Sequence, residues 1–168
     1  LHIHQTPSQG GDTLFANMYA AFEALSEPMQ TFLDGLNAFH ASDYSGQYGD
    51  HQPQRESPRA THPVVRTHPV TKRKALFVNG GFTKRIEGLS SLESRELLSF
   101  LFEHVKNPNF HCRFQWETNS VAMWDNRCTQ HHVLNDFEGE RVIQRVTVMG
   151  DQPKPAAPAI SPASPAEP

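Results

Sequence analysis

The 168-residue chain is 37% hydrophobic, which is enough for one domain with a substantial core, and it is too short for us to expect two. Its formal net charge of -3 and pI near 6.4 argue against a nucleic-acid or membrane-surface protein, because either would normally show a basic patch or helix. Small-molecule ligands fit better, and without a membrane-span or signal-peptide pattern we expect a cytoplasmic protein.

Two helices are predicted near the start of the chain. The run Leu14–Leu25 has apolar residues at helical spacing, with Asp12 or Thr13 placed to cap it. A short second helix is predicted over residues 27–36, where Gly35 can close it in the left-handed conformation.

A long loop and a hairpin follow. Residues 37–61 are polar and have neither the helical nor the strand period, so they predict a surface loop of the kind that often acts as a lid. The β-rich runs at 62–69 and 74–79 are separated by the turn "VTKR" and predict a hairpin.

The clearest helix lies within residues 89–110. Ser90 and Glu93 have capping-box spacing, and leucines recur on one face. The adjacent histidines His131 and His132 stand in what reads as a polar turn. Three strand-like runs divided by turn residues are predicted at 110–117, 120–126 and 140–150.

The pattern predicts one domain over residues 1–150 and a tail over 151–168. The tail holds six of the 13 prolines and almost no large apolar side chain, so we expect it to be disordered, to pack against nothing and to be removable without loss of stability. Strands on both sides of helical insertions favour a mainly β fold, a sandwich or a barrel.

The last predicted strand carries Arg141 and Arg145 on one face, together with Ile143, while valines occupy the other. In one interpretation the valines pack on the core and the arginines face solvent. In the other, both arginines line the mouth of a barrel, where a guanidinium needs an anion to pair with. Arginine's planar fork matches a carboxylate or a sulfonate, so this strand would form an acid-binding wall.

His131 is the candidate metal ligand. If it points into the same cavity as the arginines, a metal and an anion are held side by side; a hydrogen-bonded surface histidine is the alternative. A rival zinc site uses the C-x-x-H spacing of Cys128 and His131, completed by His111 or Cys112. A structural zinc site usually needs a second close-spaced pair, which weakens this alternative.

Three segments resemble the TauD/TfdA family of Fe(II)- and 2-oxoglutarate-dependent dioxygenases: "GGDTLFANMYAAFEALS", "HPVVRTHPVTKRKALFVN" and "SVAMWDNRCTQHHVLNDFEGERVIQRVTVMGD". The likeness runs from about Gly10 to Asp151. It implies a double-stranded β-helix, a jelly-roll barrel, and a metal held by two histidines and one carboxylate with positions open for cosubstrate and oxygen.

The resemblance also implies roles for five residues. His131 matches the distal iron-binding histidine. Arg141 matches the arginine that pairs with the far carboxylate of 2-oxoglutarate, and Thr13 the threonine that hydrogen-bonds the same carboxylate. Arg145 matches an arginine close to both the cosubstrate and the anionic group of the substrate. Phe82 is a candidate for the wall of the substrate pocket, with loop packing as the alternative.

The chain departs from the family pattern at several positions. The family takes its other two metal ligands from an H-x-D motif, and no H-x-D occurs in this chain. We therefore expect a C-terminal part of a longer protein, with the barrel incomplete at its N-terminus. Smaller departures are Lys72, Gln115 and His132.

Other residues are expected to have structural roles only. Trp116 and Trp124 are expected in the core, His40, His51, His62 and His68 in loops, and Asp125 and Asn126 in a turn.

The function that the resemblance implies is hydroxylation of a small anionic substrate, such as taurine or a related sulfonate, with release of sulfite, succinate and CO2. The cofactors would be Fe(II) and 2-oxoglutarate, and the partners O2 and the substrate, without nucleic acid or membrane. A homo-oligomer is left open. The alternatives are the same chemistry on an alkyl sulfate or aryloxyacetate, or an inactive barrel that binds nothing because H-x-D is absent.

Overall fold

A computed structural model describes residues 1–42 and 58–155 of the chain. Within these residues the α-helices are α1 (Met18–Glu23), α2 (Glu27–Leu33) and α3 (Ser91–Val105), and a single 3-10 turn spans Pro108–Phe110. The strands are β1 (His2–Gln5), β2 (Thr13–Asn17), β3 (Asn37–Ala41), β4 (Arg59–Pro63), β5 (Val65–Thr67), β6 (Lys74–Leu76), β7 (Thr83–Ile86), β8 (His111–Phe114), β9 (Thr129–Val133) and β10 (Val142–Gln144).

The strands form small antiparallel sheets. Their orders across residues 1–42 and 58–155 are β1-β10, β8-β2-β9, β4-β3-β7 and β5-β6. The expectation of a mainly β fold with helical insertions is confirmed. A closed barrel is not seen among these described strands.

The hydrophobic core lies where the helices meet the sheets. Helix α1 packs against β6 and α3, and buried side chains from all three elements meet there, including Met18, Phe22, Leu76 and Leu101. Each side chain of this size contributes about 1.5–3 kcal/mol when fully buried. In the described part of the chain, no helix has the length and apolar character needed to cross a membrane.

The first predicted helix is wrong over its first turn. Leu14–Leu25 was expected to be helical throughout, but the helix begins at Met18 because the preceding residues form β2 at the centre of a sheet. Strand β2 pairs on both sides, with β8 and β9, and these non-local hydrogen bonds outweigh local helix propensity. Asn17, rather than Asp12 or Thr13, caps α1, its side-chain oxygen accepting from two backbone N–H groups.

The other local predictions hold. Helix α2 ends just before Gly35, which has a φ of +92°. Helix α3 has the expected capping box, in which Ser90 and Glu93 each accept from the other's backbone N–H. Strands β5 and β6 form the expected hairpin, and Lys72 in its turn has a φ of +61°.

The predicted loop over 37–61 is wrong at both ends. Its first residues form β3 and its last residues belong to β4, and the two strands pair with each other, with Phe39 opposite Thr61. Burial explains the difference, because Ala38 is fully buried on this sheet although the local sequence reads as polar. The middle of the predicted lid, residues 43–57, lies outside the described residues.

The C-terminal half differs from its prediction in several places. The strand predicted over residues 140–150 is reduced to β10, so Arg141 and Arg145 lie on either side of the strand rather than in it. The predicted strand at 120–126 is reduced to a single bridge between Val121 and His2, because the Asp125 carboxylate folds the next residues into a turn. The segment around His131, predicted as a polar turn, is strand β9, which pairs with the whole of β2.

The predicted tail also begins differently. The Asp151 carboxylate forms an ion pair with Arg66, with an Nη2–Oδ2 distance of 3.1 Å, and the Thr67 amide donates to the Lys154 carbonyl at 3.1 Å. The expectation that the tail packs against nothing is therefore wrong for residues 151–155. Residues 156–168 lie outside the described residues, and the division of the chain at residue 150 stays a prediction.

Candidate cosubstrate and metal site

One face of the sheet β8-β2-β9 carries two of the predicted site residues, Thr13 and His131. Thr13 and Phe15 alternate on the central strand β2 and so share a face. His131 on β9 lies directly opposite Phe15, and Phe114 on β8 lies opposite Thr13. Thr13 and His131 therefore point to the same side of the sheet. His132, one residue further along, points to the other.

Two aromatic rings flank one side of the partly exposed His131 imidazole. Its ring centroid lies 4.9 Å from that of Trp124 and 6.2 Å from that of Phe15. Burial, followed by the positive charges of Arg145 and His132, lowers the pKa of His131. A neutral imidazole is the form that binds a metal. Trp124 was expected in the core, but it is half-buried and flanks the candidate ligand.

The Thr13 hydroxyl is hydrogen-bonded to the indole of Trp116. Thr13 is fully buried, and its oxygen accepts a hydrogen bond of 3.0 Å from the Trp116 indole N–H. Trp116 itself is 7% exposed, as expected for a core residue. The Arg141 guanidinium carbon lies 5.9 Å from the centre of the Trp116 ring system. Thr13 and Arg141 thus converge on one tryptophan.

The Arg141 guanidinium has a buried donor with no acceptor. Its Nε donates to the Gly11 carbonyl at 3.1 Å, while its Nη2 is buried and has no hydrogen-bond partner among the described residues. Burial lowers the pKa of Arg141, although a guanidinium keeps its charge at neutral pH. A buried cation with an unused donor, close to a buried hydroxyl, fits a carboxylate.

The segment that carries the arginines, β10 with the residues on either side of it, turns its valines outward. Val142, Val146 and Val148 are 45%, 86% and 88% exposed, so the interpretation that places the valines in the core is wrong. On the opposite face, Ile143 pairs with the fully buried Ile3, and Arg141 follows the same side inward. Arg145 is exposed, and its charge acts on His131.

Phe82 lies apart from these residues in the loop between β6 and β7. It is 44% exposed, and its carbonyl accepts from the Ala41 amide. The same loop reaches β9 through Asn79, whose side chain donates to Gln130 at 3.3 Å. Gln130 is adjacent in sequence to His131 and so points to the opposite face of β9. A substrate-lining role for Phe82 stays a prediction.

The rival zinc arrangement is wrong. The Cys128 thiol groups with His68 and Asp125, whose ligand atoms all lie within 4.8 Å of one another, and not with His131. His111, the proposed further ligand, has its Nε2 bonded to the Val105 carbonyl at 2.8 Å. The C-x-x-H spacing does not form a metal site here, because Cys128 lies before β9 and packs against the hydrophobic core.

The group around His68 is a hydrogen-bonded network. His68 was expected in a loop but is 3% exposed, and its Nδ1 accepts from the amides of Val70 and Thr71. The proton of the neutral ring therefore lies on Nε2, which donates to Asp125 at 3.0 Å. The Arg127 guanidinium donates hydrogen bonds to the same carboxylate. Together with the bond from His68, these hydrogen bonds hold the pKa of Asp125 well below its usual range, although burial alone would raise it. These atoms already satisfy one another.

Comparisons with known proteins identify the family of this chain. A family model described as "Taurine catabolism dioxygenase TauD, TfdA family" matches residues 1–147. An alpha-ketoglutarate-dependent sulfonate dioxygenase of Saccharomyces cerevisiae is 40% identical over 157 residues, which cover 90% of this chain and 38% of that protein. An alpha-ketoglutarate-dependent sulfate ester dioxygenase of Pseudomonas putida is 36% identical over 162 residues, covering 88% of this chain and 53% of that protein.

A solved structure gives the same result. The crystal structure of a taurine dioxygenase from Burkholderia xenovorans is 40% identical and has a TM-score of 0.70, over 80% of this chain and 45% of that one. The chain thus spans about half or less of the length of these relatives. Alpha-ketoglutarate is 2-oxoglutarate, and the family uses it as cosubstrate together with a metal. The chain belongs to the TauD/TfdA family of 2-oxoglutarate-dependent dioxygenases.

Proposed function

We propose that the whole protein is an Fe(II)- and 2-oxoglutarate-dependent dioxygenase that hydroxylates a small sulfonate such as taurine, releasing sulfite, succinate and CO2. The observation that carries the proposal is the buried Nη2 of Arg141, which has no acceptor in the described part of the chain. The same guanidinium lies over Trp116, whose indole N–H donates to the buried Thr13. The finer fold, a double-stranded β-helix barrel, belongs to the same proposal.

Arg141 and Thr13 would hold the far carboxylate of 2-oxoglutarate. The Thr13 oxygen already accepts from Trp116, which leaves the hydroxyl proton for an acceptor such as a carboxylate oxygen. Arg141 supplies the charge and a second donor in a site where burial strengthens the attraction. Its Nε bond to the Gly11 carbonyl fixes the orientation of the guanidinium before any ligand arrives.

His131 would bind iron through its neutral imidazole. When bound, iron(II) supplies the activation of dioxygen that the oxidation of the substrate needs. Phe15 and Trp124 restrict the orientation of the His131 ring and keep water away from one side of it. Arg145 brings a second positive charge to this side, where an anionic head group of the substrate would bind.

An alkyl sulfate is the second candidate substrate, and an aryloxyacetate the third. The sulfonate is preferred because the yeast relative and the bacterial crystal structure are named for sulfonate chemistry, whereas the Pseudomonas putida relative is named for sulfate esters. All three candidates present an anion to Arg145, so this arginine alone does not choose between them.

The test uses the full-length gene product with iron(II) and 2-oxoglutarate. Taurine, a linear alkyl sulfate and an aryloxyacetate are supplied in parallel, and succinate is measured with each. We expect substrate-dependent succinate and stoichiometric sulfite with taurine. Succinate that rises only with the alkyl sulfate would move the assignment to sulfate esters. No substrate-dependent succinate with any of them, in a protein that binds 2-oxoglutarate, would refute the proposal.

A further inference from the structure

An ionic network joins three separate segments next to the proposed site. The Asp151 carboxylate pairs with Arg66 at 3.1 Å and with Arg127 at 3.5 Å. Arg127 in turn pairs with Asp125 at 2.7 Å, and Asp125 accepts from His68 at 3.0 Å. The network therefore links the β5-β6 hairpin, the turn that leads into β9, and the segment that follows the arginine strand.

Arg66 gives this network its strength. Its side chain is 3% exposed, and its Nε has no hydrogen-bond partner within the described residues. The guanidinium carbon also lies 5.2 Å from the centre of the Phe77 ring. A buried guanidinium is costly unless an anion accompanies it, and Asp151 supplies that anion from a segment far along the chain. The residues after Asp151 follow the same path, since Lys154 accepts from the Thr67 amide.

The segment that carries Arg141 and Arg145 has little regular structure to hold it in place. Strand β10 ends at Gln144, and residues 145–150 are exposed and belong to no strand. In residues 1–42 and 58–155, β10 pairs with β1 alone. Arg145 therefore lies between two fixed points, the short ladder before it and the Asp151 ion pairs after it.

We propose that Asp151 is a positioning residue, which holds the segment carrying Arg141 and Arg145 at a set distance from the strand of His131. Arg127 makes the link, because it contacts Asp151 on one side and Asp125, shortly before β9, on the other. The consequence for anion binding rests on the proposed function, whereas the anchoring itself rests on the ion pairs alone.

The first test needs no ligand. Hydrogen exchange is measured on residues 1–168 for the parent, Asp151→Asn, Asp151→Glu and the control Glu96→Gln, which removes an exposed carboxylate paired with the neighbouring Arg95. We expect Asp151→Asn to speed exchange of the Thr67 amide and the β10 amides by about tenfold or more, with the α3 amides unchanged. Asp151→Glu should restore most of the protection, and Glu96→Gln should match the parent.

A partner variant guards against loss of the fold. Arg66→Met combined with Asp151→Asn removes the buried cation together with its partner, so no unpaired charge stays inside. The β10 amides should still exchange faster than in the parent. Parent-like exchange at β10 in both this variant and Asp151→Asn would overturn the proposal. Faster exchange spread evenly over the whole chain would overturn it too, because it would show a general loss of stability.

The second test separates this proposal from the proposed function. 2-Oxoglutarate is titrated with iron(II) under anaerobic conditions into the full-length forms of the same variants, and we expect Asp151→Asn to bind it at least threefold more weakly than the parent, with Asp151→Glu near the parent. If the parent itself binds no 2-oxoglutarate, the proposed function fails while the exchange result still decides the anchoring. If Asp151→Asn exchanges faster at β10 but binds 2-oxoglutarate as tightly as the parent, the positioning role is refuted.

Discussion

Arg141 combines an anchored end with an unused one. Replacing it by alanine removes the charged partner of the cosubstrate carboxylate, so Arg141→Ala in the full-length protein should weaken 2-oxoglutarate binding by about 2–5 kcal/mol, or roughly 30-fold to several thousand-fold. Anaerobic titration measures this directly. Arg85→Ala, which removes an exposed arginine near Glu87, is the matched control and should change binding little. If Arg141→Ala bound 2-oxoglutarate as tightly as the parent, the hypothesis that Arg141 binds the cosubstrate carboxylate would be refuted.

Arg145 should behave differently from Arg141, which lies on the other side of β10. Its charge acts on His131 and its side chain is exposed, so Arg145→Ala should weaken binding of the primary substrate at least as much as binding of 2-oxoglutarate. Separate titrations of the two ligands with iron(II) under anaerobic conditions give the ratio. A loss confined to 2-oxoglutarate would assign Arg145 to the cosubstrate alone.

His131 is the residue whose loss should stop the reaction without harming the fold. Its position on β9 is exposed, so His131→Ala leaves no large cavity, and we expect the melting temperature to stay within about 3 °C of the parent. In the full-length protein, succinate formation should fall to the metal-free background. His132→Ala, on the other face of the strand, is the control. Near-parent succinate release by His131→Ala would refute the ligand assignment.

At the scale of residues, alternation along a strand predicts which side chains share a face, and it correctly groups Arg141 with Ile143. It does not tell which face is buried, because that depends on what the rest of the chain packs against. The same limit applies to His68, which stands in a turn-like sequence. Its burial follows from the network with Asp125, which no local pattern reveals.

At the scale of elements, the sheet β4-β3-β7 predicts a pH dependence of stability. Burial, followed by the nearby His62, lowers the pKa of His40 from its ordinary value of 6.5 to about 4. Its Nδ1 lies 3.2 Å from the Thr83 hydroxyl, which accepts from the Asn79 amide and so donates to the ring, while Nε2 has no partner among the described residues. Burial and the contact of Nδ1 with a donating hydroxyl favour the neutral ring.

Stability should therefore fall with acid in a defined window. Because the folded pKa lies below the unfolded one, this contribution is complete above about pH 6.5 and is lost as the pH falls from there towards about 4. The slope of the unfolding free energy against pH should correspond to the uptake of less than one proton on unfolding, since His40 is half-exposed. Urea unfolding at pH 7.5, 6 and 5 measures it. His40→Gln should flatten the curve, whereas the exposed His4→Gln should not. Equal slopes in the parent and His40→Gln would contradict the prediction.

The elements that could be predicted are those with local signals. Helix α3 has its capping box, α2 its proline and glycine boundaries, and the β5-β6 hairpin its turn. Strand β2 and strand β9 have no comparable signal, because each exists through pairing with the other. The site depends on that pairing, so the types of its residues were predictable while the sheet that brings Thr13 and His131 together was not.

At the scale of the whole molecule, residues 1–168 should bind the cosubstrate without turning it over. The chain has no H-x-D motif, and a single imidazole such as His131 holds iron(II) weakly against water. Residues 1–168 are reconstituted anaerobically with iron(II) and 2-oxoglutarate, and succinate is then measured after oxygen is admitted. The metal-free sample should give the same background. Succinate clearly above that background would show that other residues complete the metal site.

The outward-facing valine edge has a practical consequence for anyone who handles this chain. Val146, Val148 and Met149 are 86%, 88% and 94% exposed, and the ladder of β10 ends just before them. Apolar edges of this kind promote sticking between molecules as concentration rises. Light scattering by concentrated samples of residues 1–168 should thus be read first as aggregation at this edge. A lysine in place of Val148 should suppress it while leaving both arginines untouched.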